Sequence, residues 1–342
     1  MNLSELENKN NLSIFAAVLA SCILLVSLIS IPYTYGAGTT LHSLGYVFLE
    51  AWNQEDMGHG FLVVPAACLI IYRKKHSLLK MHPQADVGGL FLLMFGLFLF
   101  WAGNQADVTF IGLSSIIIVL AGTVWWLLGW KFLKELAFPL AFLLFAIPFP
   151  GVDTLIALPL RYLMSNISVV ILNLVGIPSV LNGTGILSAP DPALGQLAGQ
   201  KFGVDVANPC SGIRSLFALM MVGALYAHFT LQGAWKKWIL FFCTIPLAVL
   251  GNLARIVMLT LGTVLFGSEF ALGKNSLENP SWFHLAAGYL VFIIALLGMM
   301  GVGALLDRQR SSGSKKQKQG DWHELADQET SKFRDCSQQD LY

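Results

Sequence analysis

Charged residues are scarce in this sequence. Asp, Glu, Lys and Arg make up 12% of its 342 residues, whereas 55% are hydrophobic. A soluble domain carries about twice that share of charged residues, and no polar segment here is long enough to bury a core of its own. The net charge of +1 gives no reason to expect a nucleic-acid partner. The composition therefore predicts an integral membrane protein whose surroundings are the lipid bilayer.

Cysteine is also sparse, and its spacing suits neither a metal site nor a disulfide framework. The five cysteines are odd in number and include no C-x-x-C pair, so we expect neither a zinc site nor a set of disulfides. Three of them lie in apolar runs and Cys336 lies in a polar tail. Cys210 differs from these because it lies in a mixed polar loop.

Apolar runs occupy most of the chain. A helix that crosses a bilayer needs about 20 apolar residues, and several runs reach or approach this length. We therefore predict an all-α polytopic membrane protein with about eight transmembrane helices. The predicted spans are residues 14–31, 61–72, 87–102, 110–129, 136–149, 216–231, 238–257 and 283–306.

The basic residues in the loops predict the orientation, because cytoplasmic loops are enriched in Lys and Arg. The basic clusters are residues 73–75, 131–134, 236–237 and 308–318. Eight spans with all of these clusters in the cytoplasm put both termini inside. A ninth crossing by the apolar stretch 155–175, which contains Arg161, would move two clusters to the wrong side. We expect that stretch to lie along the outer face or to dip into it.

The chain divides into one membrane domain and one tail. Residues 1–306 are predicted to form the multi-pass domain, and residues 307–342, rich in Ser, Lys, Gln and Asp, a flexible cytoplasmic extension. A segment with many glycines and β-branched residues precedes Cys210 and is expected to be a small outward-facing loop or β-hairpin region. The two short strands expected there are residues 179–187 and 201–206.

Polar residues in the last three spans are predicted to lie at one depth. Arg255 follows Lys237 by 18 residues, which is about 27 Å along a helix and close to the outer boundary of a hydrocarbon core about 30 Å thick. Asn252 lies one turn below it on the same helix face. Cys210 precedes a span that ends inside, and His284 opens the last span, so both are expected at the same outer level.

These residue types suit acyl transfer. A thiolate attacks a carbonyl carbon, and a histidine takes the thiol proton and later delivers it to the leaving amine. An arginine stabilises the thiolate or the oxyanion that forms. This chemistry needs no cofactor and no metal.

Each residue also has a purely structural interpretation. A cysteine at a helix start is most often structural, and a histidine at the end of a span usually bonds a carbonyl. Arg255 could instead pair with Asp153 or Glu269. Arg214, one turn from the cysteine, competes for the arginine role.

Two further residues are expected to face outward. His59 and Asp56 could bind a metal ion there or act as an acid and a base.

Three late segments, taken together and in this order, resemble the signatures of the exosortase/archaeosortase family. They are residues 210–216 (Cys-Ser-Gly-Ile-Arg-Ser-Leu), 252–255 (Asn-Leu-Ala-Arg) and 284–288 (His-Leu-Ala-Ala-Gly) with Phe292 one turn further on. Earlier segments are similar to the N-terminal half of that family, namely residues 52–56, 59–63, Arg73, 147–150 and 159–160. The resemblance covers about residues 52–292. One departure is Asn208-Pro209 before the cysteine, where the family often has a small residue such as alanine.

The resemblance implies a multi-pass cysteine peptidase and transpeptidase of the cell membrane, with its active site on the extracytoplasmic face. Its partners would be exported proteins whose C-terminal sorting signal has a short motif such as Pro-Glu-Pro, a transmembrane helix and a basic tail. Carried over by motif, Cys210 is the nucleophile, Arg255 the stabilising arginine and His284 the general acid and base. The supporting residues are Arg214, Asn252 and Ser211.

Three other functions compete with this one. A transporter would use helices broken at residues such as Pro246 and Gly251, although no internal repeat is present. A transferase for lipid-linked glycans would need acidic residues or a metal at the outer face, where acidic residues are scattered. A non-catalytic scaffold of a secretion system would not need Cys210.

The Arg255→Lys variant is expected to lose more activity than the retained charge suggests. A planar guanidinium can donate two hydrogen bonds to an oxyanion, and a lysine ammonium cannot reproduce that geometry. The measurement is processing, in cells, of a tagged protein that carries a C-terminal sorting signal. Full processing by the lysine variant would contradict the role assigned to Arg255.

Overall fold

The computed structural model describes residues 3–35, 40–54, 57–149, 152–205, 213–273 and 280–307, and within these ranges the chain is mainly helical. A short 3-10 helix, Leu143–Ala146, follows α7, and a π-helical turn, Val152–Ala157, leads into α8. The α-helices are α1 Leu3–Ser30, α2 Leu44–Asn53, α3 Gly60–Arg73, α4 Lys75–Leu79, α5 Val87–Gln105, α6 Thr109–Leu128, α7 Trp130–Phe142, α8 Leu158–Leu174, α9 Ile213–Thr230, α10 Ala234–Phe266, α11 Ser268–Ala271 and α12 Trp282–Asp307.

Six of the described helical segments are long and apolar enough to cross a membrane, judged by length and composition. They are Asn10–Ser30, Val87–Gln105, Thr109–Leu128, Leu155–Leu174, Ala234–Phe266 and Trp282–Asp307. Because these helices also expose many large apolar side chains, the chain is a multi-pass membrane protein. The basic tail after Asp307 lies outside the described residues.

The expected count of eight spans is not confirmed. Two of the expected spans correspond to the short helices α3, of 14 residues, and α7, of 13 residues. At 1.5 Å per residue each is about 20 Å long, less than the hydrocarbon thickness of about 30 Å. A third expected span that is not among the six, residues 216–231, corresponds to α9, which has 18 residues and carries Arg214 in its first turn.

The apolar stretch that was expected along the outer face forms the segment Leu155–Leu174, which has 20 residues. This length is enough to cross the membrane, whereas the distribution of Lys and Arg in the loops predicts that the stretch does not cross. The segment packs against α10, and the buried residues Met164, Leu172, Ile256 and Leu259 belong to one core cluster.

Two small antiparallel sheets accompany the helices. Strands β1, Pro32–Tyr35, and β2, Thr40–Ser43, pair after α1. Strands β3, Ser179–Asn182, β4, Gly185–Ser188, and β5, Gly203–Asp205, form a sheet in that order. This second sheet lies against α8, where the Ser165 hydroxyl donates to the Thr184 carbonyl at 2.7 Å.

The helices α9, α10 and α12 pack together, with α10 antiparallel to the other two, and one residue of each helix lies at the same level. A Cβ atom placed on Gly223 of α9 would lie 2.4 Å from Thr244 Cγ2 of α10 and 3.2 Å from Met299 Sδ of α12. From this level, residue numbers rise along α10 as they fall along α9 and α12. The start of α9 and the start of α12 therefore lie at the same end of the group.

Lysines hold the opposite end of the bundle together. Lys236 Nζ donates to the Leu306 carbonyl at 2.5 Å, and Lys237 Nζ donates to the His228 carbonyl at 3.4 Å. Lys74, after α3, bonds the carboxylate of Glu135 on α7 at 3.0 Å. These contacts join α9 and α12 to α10, and α3 to α7, at their basic ends.

The pair α5 and α6 depends on glycines at its contact. A Cβ atom on Gly122 would lie 2.4 Å from the backbone nitrogen of Leu93, and one on Gly96 would lie 2.9 Å from the backbone nitrogen of Val119. Small residues allow membrane helices to approach closely and to gain packing energy.

The Gly122→Ala variant is expected to lower the thermal midpoint of the protein in lipid. The new methyl group meets the α5 backbone, which cannot yield as a side chain can, and overpacking of this kind costs about 1–3 kcal/mol. The matched control is Gly301→Ala on α12, where no atom lies within 4 Å of the added Cβ. Equal midpoints for the two variants would contradict the tight α5–α6 contact.

Candidate active site at the α10–α12 contact

Arg255 of α10 and His284 of α12 lie together at the contact between these two helices. The Arg255 guanidinium covers Gly288, one turn after His284, and a Cβ atom on that glycine would lie 3.3 Å from Arg255 Cζ. His284 is 4% exposed, so its imidazole is shielded from bulk water. The guanidinium of Arg255 thus contacts α12 one turn from His284.

The start of α12 fixes the position of His284. The backbone N–H of His284 donates to Ser281 Oγ at 3.0 Å, which is the bond that an N-cap serine makes to the third residue of a helix. The same hydroxyl donates to the Ala271 carbonyl of α11 at 2.8 Å. Ser281 therefore joins the helix that carries His284 to the short helix that follows α10.

Close packing on either side of Arg255 holds α10 and α12 together. A Cβ atom on Gly251 would lie 3.0 Å from Val291 Cγ1, and one on Gly262 would lie 2.7 Å from the Phe283 ring. These two glycines lie on either side of Arg255 along α10. Side chains of α12 thus contact α10 at glycines on both sides of the guanidinium.

Asn252 lies one turn from Arg255 but faces α8. It is 3% exposed, and its amide nitrogen Nδ2 lies 3.2 Å from Met164 Sδ. Asn252 thus supports the contact between α10 and α8, a neighbour that the helix spacing on α10 alone did not identify.

Arg161 is a polar residue whose place the sequence analysis missed. Its Nε and Nη2 atoms are buried, and it lies on the same face of α8 as the buried residues Met164 and Ser168. The signal was present, because an arginine interrupts an apolar run there. The expectation that this stretch lies along the outer face rests on the loop charges, whereas the structure packs Arg161 against the bundle.

The start of α9 completes the surroundings of the site. Arg214 is exposed in the first turn of this helix. The proposed nucleophile Cys210 and the supporting Ser211 lie outside the described residues. His59, which precedes α3, stacks on Phe217 of α9 with ring centroids 5.8 Å apart. Asp56 also lies outside the described residues.

Arg255 forms no ion pair within the described ranges. Its Nε atom is buried and has no hydrogen-bond partner within the described ranges. The ion pairs described are Lys74–Glu135 and Lys201–Asp191, and neither involves Arg255. The side chain of Asp153 lies outside the described part.

The described part of the chain has no group of three His, Cys, Asp or Glu side chains that could hold a metal ion. What the described geometry offers is a fixed positive charge with N–H donors beside a buried imidazole. That combination can stabilise a developing negative charge and move a proton.

The comparisons with known proteins agree with the sequence motifs. The family model described as transmembrane exosortase matches residues 52–301, which confirms the resemblance read from the motifs. No curated protein and no solved structure matches the chain.

The Ser281→Ala variant is expected to loosen the start of α12. Loss of an N-cap serine costs about 1 kcal/mol, and the bond to the Ala271 carbonyl is lost as well. The thermal midpoint in lipid should fall for alanine and stay near the wild-type value for Ser281→Thr, which keeps a hydroxyl. Equal losses for both variants would mean that the hydroxyl bonds do not stabilise this end.

Proposed function

Because the chain belongs to the transmembrane exosortase family, we propose that it is a membrane-embedded cysteine peptidase and transpeptidase. Its substrates are exported proteins that end in a sorting signal composed of a short motif, a transmembrane helix and a basic tail. The enzyme cuts the chain near the motif and passes the new carboxyl group to water or to an amine at the cell surface.

One observation carries this proposal, namely the meeting of Arg255 and His284 on neighbouring helices. The two residues are 29 positions apart in sequence, yet the Arg255 guanidinium lies against Gly288, one turn after His284. An arginine within a membrane helix costs at least about 2.5–3.5 kcal/mol. A functional role explains why that energy is spent beside a buried histidine.

The start of α9 supports the choice of Cys210 as the nucleophile. Ile213 begins α9 ten residues before Gly223, and ten residues beyond Thr244 on antiparallel α10 is Ala254. Gly223 and Thr244 lie at one level, so α9 begins next to the turn that carries Arg255. We assign to Cys210, three residues before Ile213, the position from which a thiol reaches this site.

The reaction follows the chemistry of a thiol peptidase. His284 takes the thiol proton, and the Cys210 sulfur attacks the carbonyl carbon of the scissile peptide bond. Arg255 stabilises the tetrahedral oxyanion. The C–N bond breaks as His284 returns the proton to the leaving amine, and a thioester forms on Cys210. Water or an acceptor amine then attacks the thioester, giving a carboxylic acid or a new amide and the free thiol.

The helix lengths support an extracytoplasmic site. Helix α12 has 26 residues, about 39 Å at 1.5 Å per residue, and its far end lies at Lys236. Exposed tryptophans mark both ends of the α10–α12 pair: Trp235 is 77% and Trp282 is 67% exposed. Tryptophan favours the interfaces of a bilayer. With the lysine-rich end in the cytoplasm, His284 lies just inside the opposite interface, and both termini are cytoplasmic.

The proposal is tested with an exported protein that carries an N-terminal tag, a sorting signal and a C-terminal tag. It is co-expressed with wild type, Cys210→Ala, Cys210→Ser or Cys68→Ala. Cys68 is an exposed free cysteine on α3 and serves as the matched control. We expect wild type and Cys68→Ala to remove the C-terminal tag, and both Cys210 variants to lose processing by more than about 100-fold.

Two results would overturn the assignment. Processing by Cys210→Ala at the wild-type rate would exclude the thiol as nucleophile and favour a scaffold role. Loss of processing in Cys68→Ala as well would show that the assay reports folding rather than chemistry. Blots for the amount of membrane-inserted protein separate these outcomes.

A further inference from the structure

We propose that Gly288 is a positioning residue of this site, because its missing side chain makes the space in which the Arg255 guanidinium lies beside His284. The inference rests on the proposed function, since it concerns the arginine that is assigned to the oxyanion. Gly288 would contribute to the site by having no side chain, which leaves room for the guanidinium.

The distances define how the guanidinium lies. A Cβ atom on Gly288 would be 3.3 Å from Arg255 Cζ, 3.4 Å from Nη2 and 3.5 Å from Nε. Near-equal distances to the central carbon and to two nitrogens of a planar group mean that its flat face covers the glycine. The N–H bonds of a guanidinium point outward in its plane, so they run alongside α12 rather than into it.

Gly288 differs from the other glycines between these helices. Gly251, Gly262 and Gly298 accept the apolar side chains of Val291, Phe283 and Leu247. Gly288 is the glycine in the described part whose three nearest neighbours all belong to a charged side chain. The open space at Gly288 is therefore matched to the guanidinium and not to helix packing in general.

The position of Gly288 links this space to the histidine. Residues four apart on a helix lie on the same face, so His284 and Gly288 form two successive steps of one α12 surface. A side chain at residue 288 would lift the guanidinium from that surface and move it relative to the imidazole. A displacement of about 1 Å in a catalytic group can lower a rate by about 100-fold.

The first test is a graded series in the full-length protein in lipid nanodiscs. We expect Gly288→Ala to lower kcat for processing by about 3–10-fold and Gly288→Val by about 100-fold, with KM within about twofold. Gly301→Ala and Gly301→Val make the same changes on the same helix, where nothing lies within 4 Å, and should keep kcat within about twofold. Equal losses at the two positions would overturn the proposal.

The second test needs no activity. Thermal midpoints of wild type, Gly288→Val, Arg255→Ala and the double variant form a double-mutant cycle. Removal of the guanidinium makes room for valine, so the Gly288→Val shift should shrink in the Arg255→Ala background. Purely additive shifts would show that the two residues do not share this space.

The two tests also separate this inference from the proposed function. If wild type processes no sorting signal but the midpoints are coupled, the peptidase assignment fails and the contact stands. If wild type processes and Arg255→Ala does not, while Gly288→Val matches Gly301→Val, the peptidase assignment stands and the role of Gly288 is wrong.

Discussion

A guanidinium group held between two apolar helices is the constraint on which the rest of this site depends. Arg255 can lie at the α10–α12 contact only because the facing helix presents a glycine there. His284, one turn from that glycine, is also buried. Ser281 and the glycines that receive Phe283 and Val291 keep the two helices in register. Small residues, a helix cap and one charge thus form a single arrangement.

The membrane character of the chain could be predicted because apolar runs of about 20 residues have few other uses. The number of crossings could not be predicted as well. Hydropathy does not reveal where a helix ends: α7 stops at Phe142 and continues as a 3-10 turn, which leaves it short. Conversely, the loop charges argued against a crossing at Leu155–Leu174, although this segment is long enough to cross and buries Nε and Nη2 of Arg161 on its packed face.

For the site, the depth of a residue along its own helix could be predicted from the sequence, but the neighbouring helix that its side chain contacts could not. Counting 1.5 Å per residue from the basic loops predicts Arg255 and His284 at one level, and the structure places the Arg255 guanidinium against Gly288, one turn after His284. No count along α10 could indicate that Asn252 turns toward Met164 of α8. The N-cap at Ser281 could have been found, because a serine immediately before an apolar run is a recognised helix-start signal.

The lysine contacts at the basic ends have a mechanical consequence. Lys236 and Lys237 tie α12 and α9 to α10 at one end, and Lys74 ties α3 to α7. Helices that are hydrogen-bonded to each other at one end separate least at that end. Any movement of α9 away from α10 is therefore larger toward the start of α9, whereas Ser281 and the glycine contacts hold α12 against α10 around Arg255.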